Sequence, residues 1–167
     1  MERKKHLFLT GCKQVGKSTV LRKLLENRGE PAGFRTLRIP NAEGCSVHMF
    51  APGEREFTEA NRVFYKKKGV LHLNIEDFDR IGCDLLEKSR GAGVILMDEL
   101  GPAEVNAQAF CRAVWETLNE ADHVYGVLQA AETDFLDQVA AREDVLVVTV
   151  TEENRDQLPH LLAQQGW

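Results

Sequence analysis

Apolar residues in this chain follow two alternating rhythms. Solid apolar blocks at His6–Thr10, Val94–Met97, Val124–Leu128 and Val145–Val150 have the character of short strands buried on both faces. Between them, apolar side chains recur at three- and four-residue spacing. Val20, Leu21, Leu24 and Leu25 form such a stripe in a helix expected over Thr19–Arg28, with Gly29 as its cap and Pro31 as its stop. Phe78, Ile81, Leu85 and Leu86 form another, in a helix capped by Asn74 and running to about Ser89 before Gly91-Ala92-Gly93 breaks it. Phe110, Val114 and Leu118 mark a helix over Asn106–Glu120. Thr133–Arg142 and Asn154–Gln165 complete the set, with Pro159 implying a kink or a late start in the last helix.

One stretch breaks the rhythm. From Gly33 to Pro52, GFRTLRIP and CSVHMFAP alternate about the turn signal NAEG, which predicts a β-hairpin of Phe34–Ile39 with Cys45–Ala51. A third short strand is expected near Val63–Tyr65 or Val70–Leu73. The pattern as a whole predicts an α/β fold in one domain spanning 1–167. Its sheet is mostly parallel with helices on both faces, and a hairpin is inserted after the first helix.

Composition changes this picture little. A 43% hydrophobic content supports a sizeable core. A net charge of -5 argues against a general nucleic-acid binder, and Lys66-Lys67-Lys68 beside Gly69 reads as a solvated turn. Cys12, Cys45, Cys83 and Cys111 form no C-x-x-C pair and no secretory signal precedes them, which points to a reduced, cytoplasmic protein. No apolar run reaches membrane-spanning length, and the histidines show no metal spacing.

The chemistry lies in GCKQVGKS, from Gly11 to Ser18, which fits the phosphate loop G-x-x-x-x-G-K-[ST] and sits between a predicted strand and a predicted helix. Backbone N–H groups of Gly11, Cys12, Lys13, Gln14, Val15, Gly16, Lys17, Ser18 and Thr19 can cradle phosphates at the positive end of the helix. Lys17 can reach the β- and γ-phosphates, and the Ser18 hydroxyl can ligate Mg²⁺. The block VILMDE then delivers Asp98 to the sheet edge from which the loop emerges, where it can share that Mg²⁺. Glu99, one residue on, is placed to act as base toward an attacking water. A positive partner for transition-state charge is also needed. Arg35 and Arg38 point to opposite strand faces, so at most one of the two meets the nucleotide, and Arg142 and Arg155 are alternatives. Gln129, at the end of a strand, can sense the γ-phosphate.

The loop TGCKQVGKST, the segment GFRTLR and the segment VILMDELGPAE, in this order, resemble the THEP-type (cancer-related) nucleoside-triphosphatase family over nearly the whole chain. The resemblance implies a RecA-like domain that hydrolyses nucleoside triphosphates with Mg²⁺ and broad base preference. It puts Lys17, Ser18, Asp98 and Glu99 in the roles above and favours Arg38 as the assisting arginine. Gly33, Phe34 and Thr36 match the second motif, and Gly101 and Glu104 the tail of the third. Two other readings keep the same loop. One is a small-molecule or nucleotide kinase, although GFRTLRIP lacks the acid that would hold an acceptor. The other is a nucleotide-switched accessory protein that meets a protein partner through 33–73.

Overall fold

The computed structural model describes residues 3–167. Its elements run β1 (His6–Thr10), α1 (Lys17–Leu25), β2 (Ala32–Asn41), β3 (Gly44–Phe50), β4 (Arg62–Lys67), β5 (Val70–Leu73), α2 (Ile75–Lys88), β6 (Ile95–Leu100), α3 (Gln108–Glu120), β7 (Val124–Leu128), α4 (Asp134–Ala140), β8 (Val145–Thr149) and α5 (Leu158–Gln164). The strands form one eight-stranded sheet in the order β5-β4-β3-β2-β6-β7-β1-β8. β2, β6, β7, β1 and β8 are mutually parallel, while β3, β4 and β5 continue the sheet as an antiparallel meander. No helix among the described residues is long and apolar enough to cross a membrane.

Helices cover both faces of the parallel part, as the solid apolar blocks require. Leu7 and Leu9 of β1, with Leu96, Tyr125 and Val127, pack against α1 and α5. Phe8, Phe34 and Met97 face the other way, toward α2, α3 and α4. On that side Phe110 meets Phe34 edge-on at 5.6 Å and Phe78 at 6.3 Å. Gly82 of α2 lets the Phe110 ring approach, since a Cβ there would lie 2.2 Å from it. Burying such rings contributes about 3–5 kcal/mol each, by the usual cost of truncating them.

The structure sharpens four expectations. Both candidate third strands form, as β4 and β5. The hairpin is not a separate insertion, because its first strand pairs in parallel with β6 over Ala32–Arg35 and then antiparallel with β3 over Arg35–Asn41. Asp98 and Glu99 do not end their strand but lie within it. The closing helix takes the late start, at Leu158, with Pro159 in its first turn, where the missing N–H costs nothing.

The edge where β1 begins is held by His6, which is 0% exposed. Its Nε2 donates to the Leu118 carbonyl at 3.0 Å, and its Nδ1 accepts the Val124 N–H at 3.0 Å. The neutral ring is therefore satisfied at both nitrogens. Burial lowers its pKa below the ordinary 6.5, with Asp144 opposing; Arg142 and Lys5 add to the lowering. Asp144 is itself held by Arg142 at 2.7 Å, whose hydrogen bond pulls its carboxyl below the usual range. When the folded histidine has the lower pKa, the unfolded chain binds more protons at mildly acid pH. Stability therefore falls as pH drops through about 6.5 and levels off below the folded value. Urea unfolding should show a lower midpoint at pH 5 than at pH 8. In His6→Gln the midpoint should be lower at both, with a smaller difference between them.

Candidate functional site

The turn from β1 into α1 is built around its glycines and one apolar anchor. Val15 is buried with Val20, Leu21 and Val150, while Cys12, Lys13 and Gln14 stay exposed. Gly11 has φ +140, and a Cβ there would lie 2.5 Å from the Val150 carbonyl oxygen. Gly16 caps α1 in the left-handed region, with φ 112. The Lys17 Nζ donates back to the carbonyls of Gly11 at 2.9 Å and Cys12 at 2.7 Å, spanning the loop it closes. The N-terminal turn of α1 carries no acidic residue to offset its positive end.

Two strands away, β6 brings Asp98 to the same edge. The Ser18 hydroxyl donates to Asp98 Oδ1 at 2.9 Å. Asp98 is 8% exposed, and burial pushes its pKa up to about 6, against the Ser18 hydrogen bond. The Glu99 charge adds to the rise, and Arg35 and Lys17 oppose it. Glu99 is half-buried and accepts a hydrogen bond from the Gln129 amide. Gln129 follows β7, and its N–H donates to the Leu100 carbonyl at 2.9 Å, which fixes it beside the acid strand. Gly101 leaves it room, since a Cβ there would lie 2.8 Å from the Gln129 side chain.

The arginines separate clearly. Arg38 is exposed and lines a cleft of about 450 Å³ together with Lys13, Ser18, Asp98, Glu99 and Gln129. Arg35 is placed opposite Asp98 by strand register, and its buried Nε has no hydrogen-bond partner among the described residues. Arg155, from the turn after β8, donates to the Val15 carbonyl at 3.3 Å and packs over Gly16. Arg142 is bound to Asp144 and Asn119 beside His6, at the opposite end of β1, away from the cleft. Phe34 lies in the core and Thr36 lines the cleft. The Glu104 side chain lies outside the described residues.

Sequence reasoning left two features unassigned. The proximity of Arg35 to Asp98 depends on β2–β6 register, which Gly33 permits: with φ +96, a Cβ there would lie 2.0 Å from the Leu96 carbonyl oxygen. Lys66 lines the cleft rather than belonging wholly to the solvated turn, whereas Lys67 and Lys68 do pair with Glu43. The β4 alternation that turns Phe64 and Lys66 to one face is the signal that could have found it. Gly33→Ala should therefore cost about 2 kcal/mol or more, through steric conflict and strain. Gly29→Ala, with φ +78 and nothing within 4 Å, should cost only about 1 kcal/mol. Urea denaturation of the two variants checks the difference.

Known proteins resemble this chain in sequence and in fold. The NTPase family profile matches residues 6–163. The nucleoside-triphosphatase THEP1 of Methanosarcina acetivorans is 32% identical over 167 residues, covering 95% of both chains. The human cancer-related nucleoside-triphosphatase is 26% identical over 184 residues, covering 92% of each. Among solved structures, THEP1 from Aquifex aeolicus superposes with a TM-score of 0.75 at 20% identity, covering 96% of this chain and 98% of that one. That likeness bears on the fold alone.

Proposed function

The chain belongs to the NTPase family, and from that premise we propose that it is a Mg²⁺-dependent nucleoside-triphosphate hydrolase of broad base preference, working as one cytoplasmic domain. The observation that carries the reading is the contact between Ser18 and Asp98, 2.9 Å apart and 80 positions apart in sequence, at the mouth of the loop. No disulfide links the four cysteines among the described residues, in keeping with a reduced compartment.

The residues fit the ion. A hydroxyl and a buried carboxylate, both hard oxygen donors, stand side by side, and Mg²⁺ takes one or two such groups along with water and phosphate oxygens. Ser18 and Asp98 would hold it, and when bound it would offset charge on the β- and γ-phosphate oxygens. Backbone N–H groups from Gly11 to Thr19 and the start of α1 receive the phosphates. Lys17, now held by two loop carbonyls, turns its donors to the β–γ bridge. Glu99 takes a proton from a water that attacks the γ-phosphorus. The bond to the β-phosphate oxygen breaks, and that oxygen leaves with its electron pair on the diphosphate. Gln129 fixes the orientation of Glu99, and Arg38 supplies positive charge from the facing wall of the cleft.

Lys17→Ala should abolish phosphate release from a nucleoside triphosphate. Glu99→Gln should keep nucleotide affinity within a few-fold while lowering kcat about 100-fold or more. Malachite-green phosphate release and a fluorescent-nucleotide titration check both. Full activity in Glu99→Gln would remove it as the base. Phosphate release unchanged by chelating Mg²⁺ would remove the ion.

A further inference from the structure

The cleft beside Glu99 is far larger than a water molecule needs. It encloses about 450 Å³, against about 30 Å³ for one water in the liquid, and lies within the range of about 300–1,000 Å³ typical of small-molecule sites. Its floor is the sheet extension. Arg38, Val47, Phe64 and Leu73 are registered neighbours across β2, β3, β4 and β5, so their side chains share one face. Cys45, Lys66 and Leu71 form the next row on that face. α2 covers only part of it, with Phe78 standing as a wall. An apolar floor thus carries cations at Lys66 and Arg38, with Lys13 on the phosphate loop beside it, and among the described residues the lining has no acid except Asp98 and Glu99 at its catalytic end.

We propose that this cleft is a binding site for a second ligand, a small organic anion with an apolar body, held next to the γ-phosphate. The proposal rests on the triphosphatase reading for where that phosphate lies. The triphosphatase reading directs the nucleoside away from the cleft. Lys17 and the Mg²⁺ ligands act at the β- and γ-phosphates, so the γ end faces Asp98 and Glu99. On that reading the α-phosphate and the nucleoside extend away from the acid pair, toward the side of the loop where Arg155 and β8 lie. The cleft opens the other way, toward β2–β5. Charge decides the class of ligand, since an anion is drawn to Lys66 and Arg38 and a cation is not. Shape decides its size, because a walled pocket suits a small molecule and a flat protein surface would not enter it.

Anilinonaphthalene sulfonate, a fluorescent organic anion with an aromatic body, is the probe. The wild-type protein should bind it with enhanced emission. Lys66→Glu, which reverses the charge, and Val47→Trp, which fills the floor, should each weaken binding about tenfold or more. Both should retain their unfolding midpoint and phosphate release. If Val47→Trp does not fold, Lys66→Glu decides. A non-hydrolysable nucleoside triphosphate should leave the probe bound. Absence of binding, wild-type affinity in a folded variant, or competitive displacement by the nucleotide would overturn the proposal, the last by assigning the cleft to the nucleoside. Probe binding in a protein that releases no phosphate from any nucleoside triphosphate would sink the hydrolase reading and leave the pocket standing.

Discussion

Everything at the site depends on a hydroxyl and a carboxylate meeting across the sheet's edge. Ser18 stands on the first turn of α1 after β1, and Asp98 is in β6 with β7 lying between the two strands. Adjacent strands are about 4.8 Å apart, so β1 and β6 are separated by roughly 10 Å. The turn after β1 must lean over β7 to close that gap. The left-handed Gly16 and the buried Val15 set that lean, one by freeing the backbone and the other by anchoring it. Parallel strands are what place both ends at one edge. The intervening strand is used as well, for it delivers Gln129 to Glu99.

The two ends of the parallel strands treat polar groups in opposite ways. Where β1 begins, His6 is neutral and bonded at both nitrogens, and Asp144 is neutralised by Arg142. Nothing there is left wanting, and the arrangement stabilises the fold at neutral pH. Where β1 ends, Asp98 is buried with one hydrogen bond and a raised pKa, and the Arg35 Nε beside it is buried without a partner among the described residues. A fold selected for stability alone would have satisfied or removed these groups. On the proposed reading, substrate phosphates and the ion complete them, so the same atoms that weaken the empty site contribute binding when it fills.

How much of this was legible in the sequence follows from what each feature depends on. The phosphate loop, the acid pair and the helical stripes are local, with their spacing written in consecutive residues; the loop does join β1 to α1, although the acid pair lies inside β6 rather than at its end. Both candidate third strands were visible as short apolar runs, but that both pair, one beyond the other, could not be read, since pairing is a property of register. The dual use of β2 was hidden for the same reason. The order of strands in the sheet is non-local too, and by setting β8 beside β1 it brings Arg155 against the loop, whereas Arg142, just before the parallel strand β8, lies at the opposite edge. Arg38 was favoured through its motif, and it lines the cleft. Lys66 was misjudged because a run of three lysines looks uniform, whereas a strand's alternation sends its members to different surroundings.

The order of the strands also divides the edge into two territories. Toward β8, the loop is flanked by Arg155 and the turn that carries it, and the parallel sheet stops there. Toward β2, the sheet does not stop but continues for three more strands, and α2 packs on β2, β3 and β4. Such an extension exposes edge backbone and apolar side chains, among them Val70 at 57% and Leu71 at 51% exposed, which is a cost to solubility. The extension does not enlarge the loop or supply the acids. What it adds is a face on which α2 packs, with Phe64 stacked on Phe78, and beside that packing the floor beyond Glu99 that bears Lys66, so one face of the extension serves both the core and the cleft.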